Sequence, residues 1–487
     1  MKSILYADQI LDGKNPRTRP GKITVDSTLG AIEAIEFFHT KSELQLEYLK
    51  DRDFHENRNK DVALSYLKNT LLTPSFINAH THCAMSFFRH HLWSDPKFTK
   101  KNMIHDLFFH LEKHLDEEDV ANFTTMGAYE NLMQGVGLVW DHYYHPKGLV
   151  EGFGKTPLCA VIAPTLQDLF GPGKNDATKF MHEIVEFRNE GKNLFFALGP
   201  HATNTVSTSL WNKIAQVSVE NNLPIHFHLS QTYDEYIYSL KHHGMPPLTY
   251  LYNQTQMGEV KNLLGVHGTY LTLKELDEMA QKENMTLVQC PTSASIFSFP
   301  ADSIEWMKRG IPMVLGTDCV ASNDSMNIHK EMRTYRGLQI SPITGSKEYR
   351  NFLEDGSLAK KLESKKRQYW SRVAKHLEPH QLLDKIWKIP GELHPKFKAG
   401  LLAKGYVANI NLWDITHPNL WPHPDIKTFC FADPINALKN MMILGKFILK
   451  NEKNTNMNNL LKTSSYLLAW ENANKSLKKL IKKVSIT

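Results

Sequence analysis

Apolar and polar positions follow two textures along the chain. Up to about residue 70 the apolar runs are short and strand-like. They cover Ile4–Ala7, Lys22–Val25 and Ala31–Ile35, with Gly13, Pro16, Pro20 and Gly30 as turn formers between them. Residues 41–62 are strongly charged and predict a loop or a helical insertion. From residue 71 onward, apolar runs of strand length alternate with amphipathic helical stretches. The predicted strands are Leu71–Ala79, Leu138–Trp140, Cys159–Ala163, Phe195–Leu198, Ile225–His228, Gly265–Val266, Thr286–Val288 and Met313–Leu315. Helical patterns fall between them, among them Asp116–Gln134, Ser207–Glu220, Leu273–Glu283 and Ser303–Arg309. Eight such alternations over about 300 residues predict a parallel (β/α)8 barrel rather than an open sheet.

Residues 320–390 predict helices, with a charged stretch at 346–368. After Pro390-Gly391 the strand texture returns in Asn409–Trp413 and Met441–Leu449, punctuated by Gly400, Gly405 and Gly445. The expectation is an α/β protein with a distorted (β/α)8 TIM barrel over 71–390. Residues 1–70 and 391–450 are expected to join as a small β-sandwich domain, and 451–487 to form a helical tail. The Asn- and Lys-rich stretch at 450–462 reads as a linker.

Composition narrows the function classes. With 487 residues, 41% hydrophobic and 22% charged, the chain can bury a large core as an ordinary soluble protein. The net charge of +6 lies partly in residues 473–487, which carry five lysines and no acid and predict a solvated amphipathic helix. The lysines form no stripe interleaved with aromatics, so no nucleic-acid partner is expected. No apolar run reaches the roughly 18 residues of a membrane span, and no membrane partner is expected. Met1–Asp8 has no apolar signal segment. The five cysteines are odd in number and form no CxxC pair, which predicts a reducing, cytoplasmic compartment.

The chemistry gathers at strand ends. Phe76–His82 is a short apolar strand running into His80 and His82. On a strand, i and i+2 share a face, so two imidazoles can converge on one metal ion. In a chain of 24 histidines one such pair is a weak signal. Other predicted strands supply more: His201 after Phe195–Leu198, His228 closing Ile225–His228, His267 after Gly265–Val266, and Asp318 after Met313–Leu315. Active-site groups of a (β/α)8 barrel sit at the C-terminal strand ends, where all of these fall. His226 shares the strand parity of His228 and reads as a packing or supporting residue.

On these phrases the chain resembles the amidohydrolase superfamily, in its branch of chlorohydrolases and aminohydrolases that deaminate triazines, purines and adenosine-type nucleosides. The phrases are Thr73–His82, Gly199-Pro200-His201, His226-Phe227-His228-Leu229 and Leu315-Gly316-Thr317-Asp318 with Ala321-Ser322-Asn323. Arg89, Leu111–Leu115 around Glu112, Gly244–Leu248 and Asn440–Leu449 are softer echoes. The resemblance implies one divalent metal on His80, His82, His228 and Asp318, zinc first, with iron, manganese or nickel left open. It implies Asp318 as proton acceptor for the attacking water and His267 as the group that polarises the attacked carbon's substituent or steadies the hydroxide. His201, Glu112 and Arg89 are implied as contacts to a small heterocyclic substrate. A homodimer stays open, since no interface is marked in the sequence.

Two departures stand out. The branch has a glutamate three residues after the strand-five histidine, where it carries protons to the ring nitrogen and to the leaving ammonia. Here the phrase is His228-Leu229-Ser230-Gln231, and an amide cannot carry a proton between sites. Either Asp234 or Glu235 takes over, or the bond cleaved needs less help, such as a carbon–halogen or cyclic amide bond, or the chain binds metal but turns over poorly. The second departure is Val288–Ala294, where the family has His or Asn before its Pro-x-Ser and Asn after it.

Overall fold

The computed structural model describes residues 2–58, 62–89, 104–187, 191–339, 341–356, 359–449 and 456–485. Eight parallel strands form the barrel: Phe76–Thr81, Val136–Tyr143, Cys159–Leu166, Leu194–Phe196, Ile225–Leu229, Leu263–His267, Met285–Gln289 and Met313–Leu315. They pair in sequence as two parallel sheets of consecutive strands. Single bridges close the ring, Leu198 to Ile225 on one side and Thr81 to Asp318 on the other. The barrel is distorted because these two seams carry far fewer ladder bonds than the rest. Nearly every strand residue is buried, as expected of strands covered by helices outside and packed side chains inside.

The chain ends meet in one seven-stranded sheet. Its strands are Lys2–Ile10, Arg19–Asp26, Ala31–Phe37, Val62–Pro74, Ile410–Asp414, Leu438–Ile443 and Lys446–Phe447. The sheet curls until Gly445 reaches Val25 and Ser27, enclosing a second apolar core around Leu5, Ile23, Leu72, Ile410 and Met442. The apolar run predicted as one strand, Leu71–Ala79, is two: Val62–Pro74 stays in this sheet, and Phe76–Thr81 begins the barrel. Phe76 packs between Trp387, Trp413 and Phe429 at that turn, joining the two cores.

The charged stretch after residue 40 is a helix, Lys41–Arg58. Its Lys41 pairs with Asp8 of the sheet at 3.1 Å. Residues 450–455 of the expected linker and 486–487 of the tail lie outside the described residues. The tail helix, Ser464–Ser485, lies on helix Glu117–Met133, with Lys479 reaching Asp116 at 2.5 Å and Asp119 at 3.1 Å. No described helix is long and apolar enough to cross a membrane.

One packing feature gives a stability test. Lys385 is buried beneath the last barrel strand, its Nζ 3.5 Å from Met307 Sδ. Burial pulls its ammonium down to about 8, against the weaker pull of Asp384. An unfolded lysine titrates near 10.4, so between about 8 and 10.4 the unfolded chain binds more protons and stability rises with pH. Below about 8 the full cost of the buried charge is present, on the order of 3 kcal/mol. Lys385→Met is expected to raise the thermal unfolding midpoint at pH 7, and its advantage to shrink as pH approaches 10. An unchanged midpoint at pH 7 refutes this.

Candidate active site

Three histidines are pinned from behind and face one another and Asp318 in front. His80 Nδ1 hydrogen-bonds His226 Nε2 at 2.9 Å, His228 Nδ1 donates to the His201 carbonyl at 3.0 Å, and His82 Nδ1 donates to the His142 carbonyl. Each ring therefore turns Nε2 inward. His80, His82 and His228 bring ligand atoms within 4.8 Å of one another, and so do His80, His267 and Asp318. Asp318 Oδ1 lies 3.2 Å from His82 Nε2 and 3.6 Å from His80 Nε2. All five side chains are buried, and neither His80 Nε2 nor His267 Nε2 makes a hydrogen bond.

The local chain geometry explains how these groups meet. Glycine at 316 is required, because a Cβ there stands 2.7 Å from the His80 Cβ and 2.8 Å from its carbonyl oxygen. Thr317 and Asp318 both donate backbone N–H groups to the His80 carbonyl, at 3.0 and 3.1 Å. Asn78, one strand away, accepts from Thr317 N and donates to its hydroxyl. The chain then turns at Asp318 with φ 61°, and at His267 with φ 78°. Left-handed backbone at non-glycine residues is strained, and such strain collects at functional sites. Gly316→Ala is expected to displace His80 and reduce bound metal per folded chain; full metal content in that variant is the opposing result.

Electrostatics favour uncharged imidazoles at His80, His228 and His267, whereas Asp318 raises His82 against the pull of its burial. Burial lowers His80 to about 3 and His267 to about 4, and holds His228 well below its usual range. Burial alone would raise Asp318, but the facing His80 and His82 rings hold it well below the carboxylate range. Neutral rings with free lone pairs beside one anionic carboxylate are the donor set of a divalent metal site. The orphaned His80 Nε2 fits such an ion.

His82, His228, His267 and Asp318 form the floor of a cavity of about 290 Å³. His201, Glu112, Gln231 and Asp234 line it, with Phe108, Phe109, Tyr143, Tyr270 and Phe297 as aromatic walls. His201 is fixed by Thr205 at 2.9 Å, and burial lowers it to about 3. Burial pushes Glu112 up to about 7, opposed by Tyr143 and His82.

Two expectations change. Arg89 does not line this cavity: the chain leaves strand one through the short helical turn Cys83–Phe88, and Glu130 holds the guanidinium at 2.6 Å beside a separate groove. Glu235 is not available to replace the missing glutamate either. Its Oε1 accepts from Thr203 and its Oε2 from Gln231 N, both at 2.8 Å, and the side chain is buried away from the cavity lining. His226 does stand behind His80. His142 and Ser293 are additions. Predicted strand two stopped at Trp140, whereas the strand runs to Tyr143, and the strand-end test applied there finds His142. Ser293 donates to Asp318 Oδ2 at 2.6 Å.

The sequence pattern of the Amidohydrolase family matches residues 71–448. The chain belongs to the amidohydrolase family. Among curated relatives, a 5'-deoxyadenosine deaminase of Methanocaldococcus jannaschii is 26% identical over 395 residues, covering 79% of this chain and 84% of that one. A 5-methylthioadenosine/S-adenosylhomocysteine deaminase of Thermodesulfovibrio yellowstonii is 28% identical over 294 residues, 58% of this chain and 66% of that one. The fold matches that of an adenosine deaminase from Xanthomonas campestris solved with bound zinc, at a TM-score of 0.78 and 17% identity, over 99% of this chain and 98% of that one. This amidohydrolase is thus a hydrolase of carbon–nitrogen bonds built on the family's barrel.

Proposed function

We propose that the chain deaminates an adenosine-type nucleoside hydrolytically, exchanging the exocyclic amine for a water oxygen and releasing ammonia. The carrying observation is the set of imidazoles pinned through Nδ1, with Nε2 atoms converging beside Asp318 under a ligand-sized cavity. His80, His82, His228 and Asp318 would hold one divalent ion, zinc by preference. Such an ion lowers the pKa of water and stabilises charge as the water adds to carbon.

The protein's own groups do the rest. Asp318 takes the proton that the attacking water gives up. His267, neutral and with Nε2 unengaged, donates an Nε2–H to the developing negative oxygen or holds the water in line. His201 offers an uncharged imidazole to a ring nitrogen or sugar hydroxyl. Glu112 accepts from a vicinal diol, as a buried carboxyl facing the cavity can. The aromatic walls stack on a flat base and exclude water. The deaminase names of the curated relatives support the nucleoside class.

One observation favours a second reading: Gln231 lines the cavity where the deaminases have an acid, and Glu235 is tied off behind it. In that reading the chain keeps the metal and the ligand but turns over poorly. Ammonia release by metal-quantified protein decides between them. The panel is 5'-deoxyadenosine, methylthioadenosine, adenosine, guanine, a pterin and an aminotriazine. Turnover of a nucleoside supports the first reading. Ammonia from none of them, with metal bound, overturns it.

A further inference from the structure

We infer that Glu331 is a positioning residue for the metal centre, acting on Asp318 through Thr292 and Ser293. The inference rests on the reading of His80, His82, His228 and Asp318 as metal ligands. Glu331 lies in the first turn of helix Ile328–Leu338 and is fully buried. It is absent from the cavity lining. Its Oε2 accepts the Thr292 backbone N–H at 2.9 Å and its Oε1 accepts the Thr292 hydroxyl at 2.6 Å. A carboxylate is costly to bury unless its oxygens are satisfied. Here each oxygen accepts from Thr292, which fixes that residue's main chain and side chain together.

Thr292 is in the first turn of the short helix Pro291–Phe297, which follows barrel strand seven. Locking that turn aims the next residue. Ser293 is buried against the cavity, and its hydroxyl donates to Asp318 Oδ2 at 2.6 Å. The Cys319 backbone N–H holds the other oxygen, Oδ1, at 2.9 Å. Between these two donors the carboxylate cannot rotate, and Oδ1 stays turned toward His82 and His80. A second thread leads to the same place. Asn323 lies beside the Glu331 carboxylate, and its Nδ2 donates at 2.9 Å to the carbonyl of Thr317. Thr317 immediately precedes Asp318, whose left-handed backbone needs such restraint. Glu331 thus braces both the side chain and the backbone of one proposed ligand without touching the site.

Removing hydrogen-bond partners that stand behind metal ligands commonly costs about 10–100-fold in metal affinity or activity. The test measures zinc affinity by competition with a chromophoric chelator, and the visible spectrum of the cobalt-substituted protein. It compares wild type with Ser293→Ala, Ser293→Thr, Glu331→Gln and the double variant Ser293→Ala/Glu331→Gln, each checked for folding by thermal melt. Ser293→Ala is expected to lose about 10–100-fold in zinc affinity and to shift the cobalt bands, with Ser293→Thr restoring both. Glu331→Gln is expected to shift the same bands in the same direction. The double variant is expected to lose less than the product of the single losses, because the two residues act in series. A Glu331→Gln protein that melts earlier yet keeps wild-type affinity and spectrum overturns the proposal, as do single losses that multiply in the double variant. A wild type that takes up neither ion refutes the metal reading itself, and the proposal with it.

Discussion

Replacing His228 by alanine, or stripping the protein with a chelator, is expected to abolish turnover, and a divalent ion restores activity only to the stripped wild type. His228 brings its ligand atom within 4.8 Å of those of His80 and His82, and its Nδ1 is already committed to the His201 carbonyl. A metal supplies several kcal/mol of transition-state stabilisation. At about 1.4 kcal/mol per tenfold, its loss costs at least about 10³-fold in kcat/KM. His226→Phe is the control. His226 meets His80 only through the back of the ring, so the aromatic volume is kept while one hydrogen bond goes. Its loss should stay near 10–100-fold and appear first in metal affinity. Equal losses in the two variants would mean that His228 supports the site rather than forming it.

The sequence made the site legible where a one-dimensional rule maps onto three dimensions. Strand parity puts His80 and His82 on one face, and barrels present strand C-termini to one mouth, so His228, His267 and Asp318 could be gathered without seeing the fold. The rule failed where the chain leaves a strand irregularly. Arg89 is seven residues past His82, beyond a short helical turn, and nothing in its spacing says which way it leaves that turn. The rule also depends on strand length. His142 was lost because predicted strand two ended three residues before the real strand does. Ser293 and Glu331 are legible in no local pattern. Their partners are 25 and 39 residues away in sequence, and only the packing of two helices brings them together. The small sheet was visible as strands at both chain ends, but its pairing order required long-range contacts that periodicity does not encode.

Gln231→Glu is expected to raise deamination by about 10²–10⁴-fold in kcat, the range that a positioned acid–base group supplies. The exchange is nearly isosteric. The backbone at 231 is held by its N–H bond to Glu235 at 2.8 Å, so the new carboxyl should occupy the space of the amide in the cavity wall. There it can take a proton and pass it to the leaving amine, which the native amide cannot do. Glu235 cannot serve in its place, since Thr203 and Gln231 N occupy its oxygens. Asp234 is the remaining nearby carboxylate, exposed in the first turn of helix Tyr233–His243 and lining the same cavity. The two assignments predict opposite signs. If Asp234 carries the proton, wild-type turnover is already fast, Asp234→Asn removes it, and Gln231→Glu adds little because a second carboxylate near Asp318 repels the first. If no group carries it, Asp234→Asn changes little and Gln231→Glu gains its full factor. Glu235 is spoken for, and Asp234 is more open to solvent than a proton carrier in a water-excluding site should be. That contrast favours the second pattern, in which the barrel retains its proposed metal ligands and lacks one mobile proton.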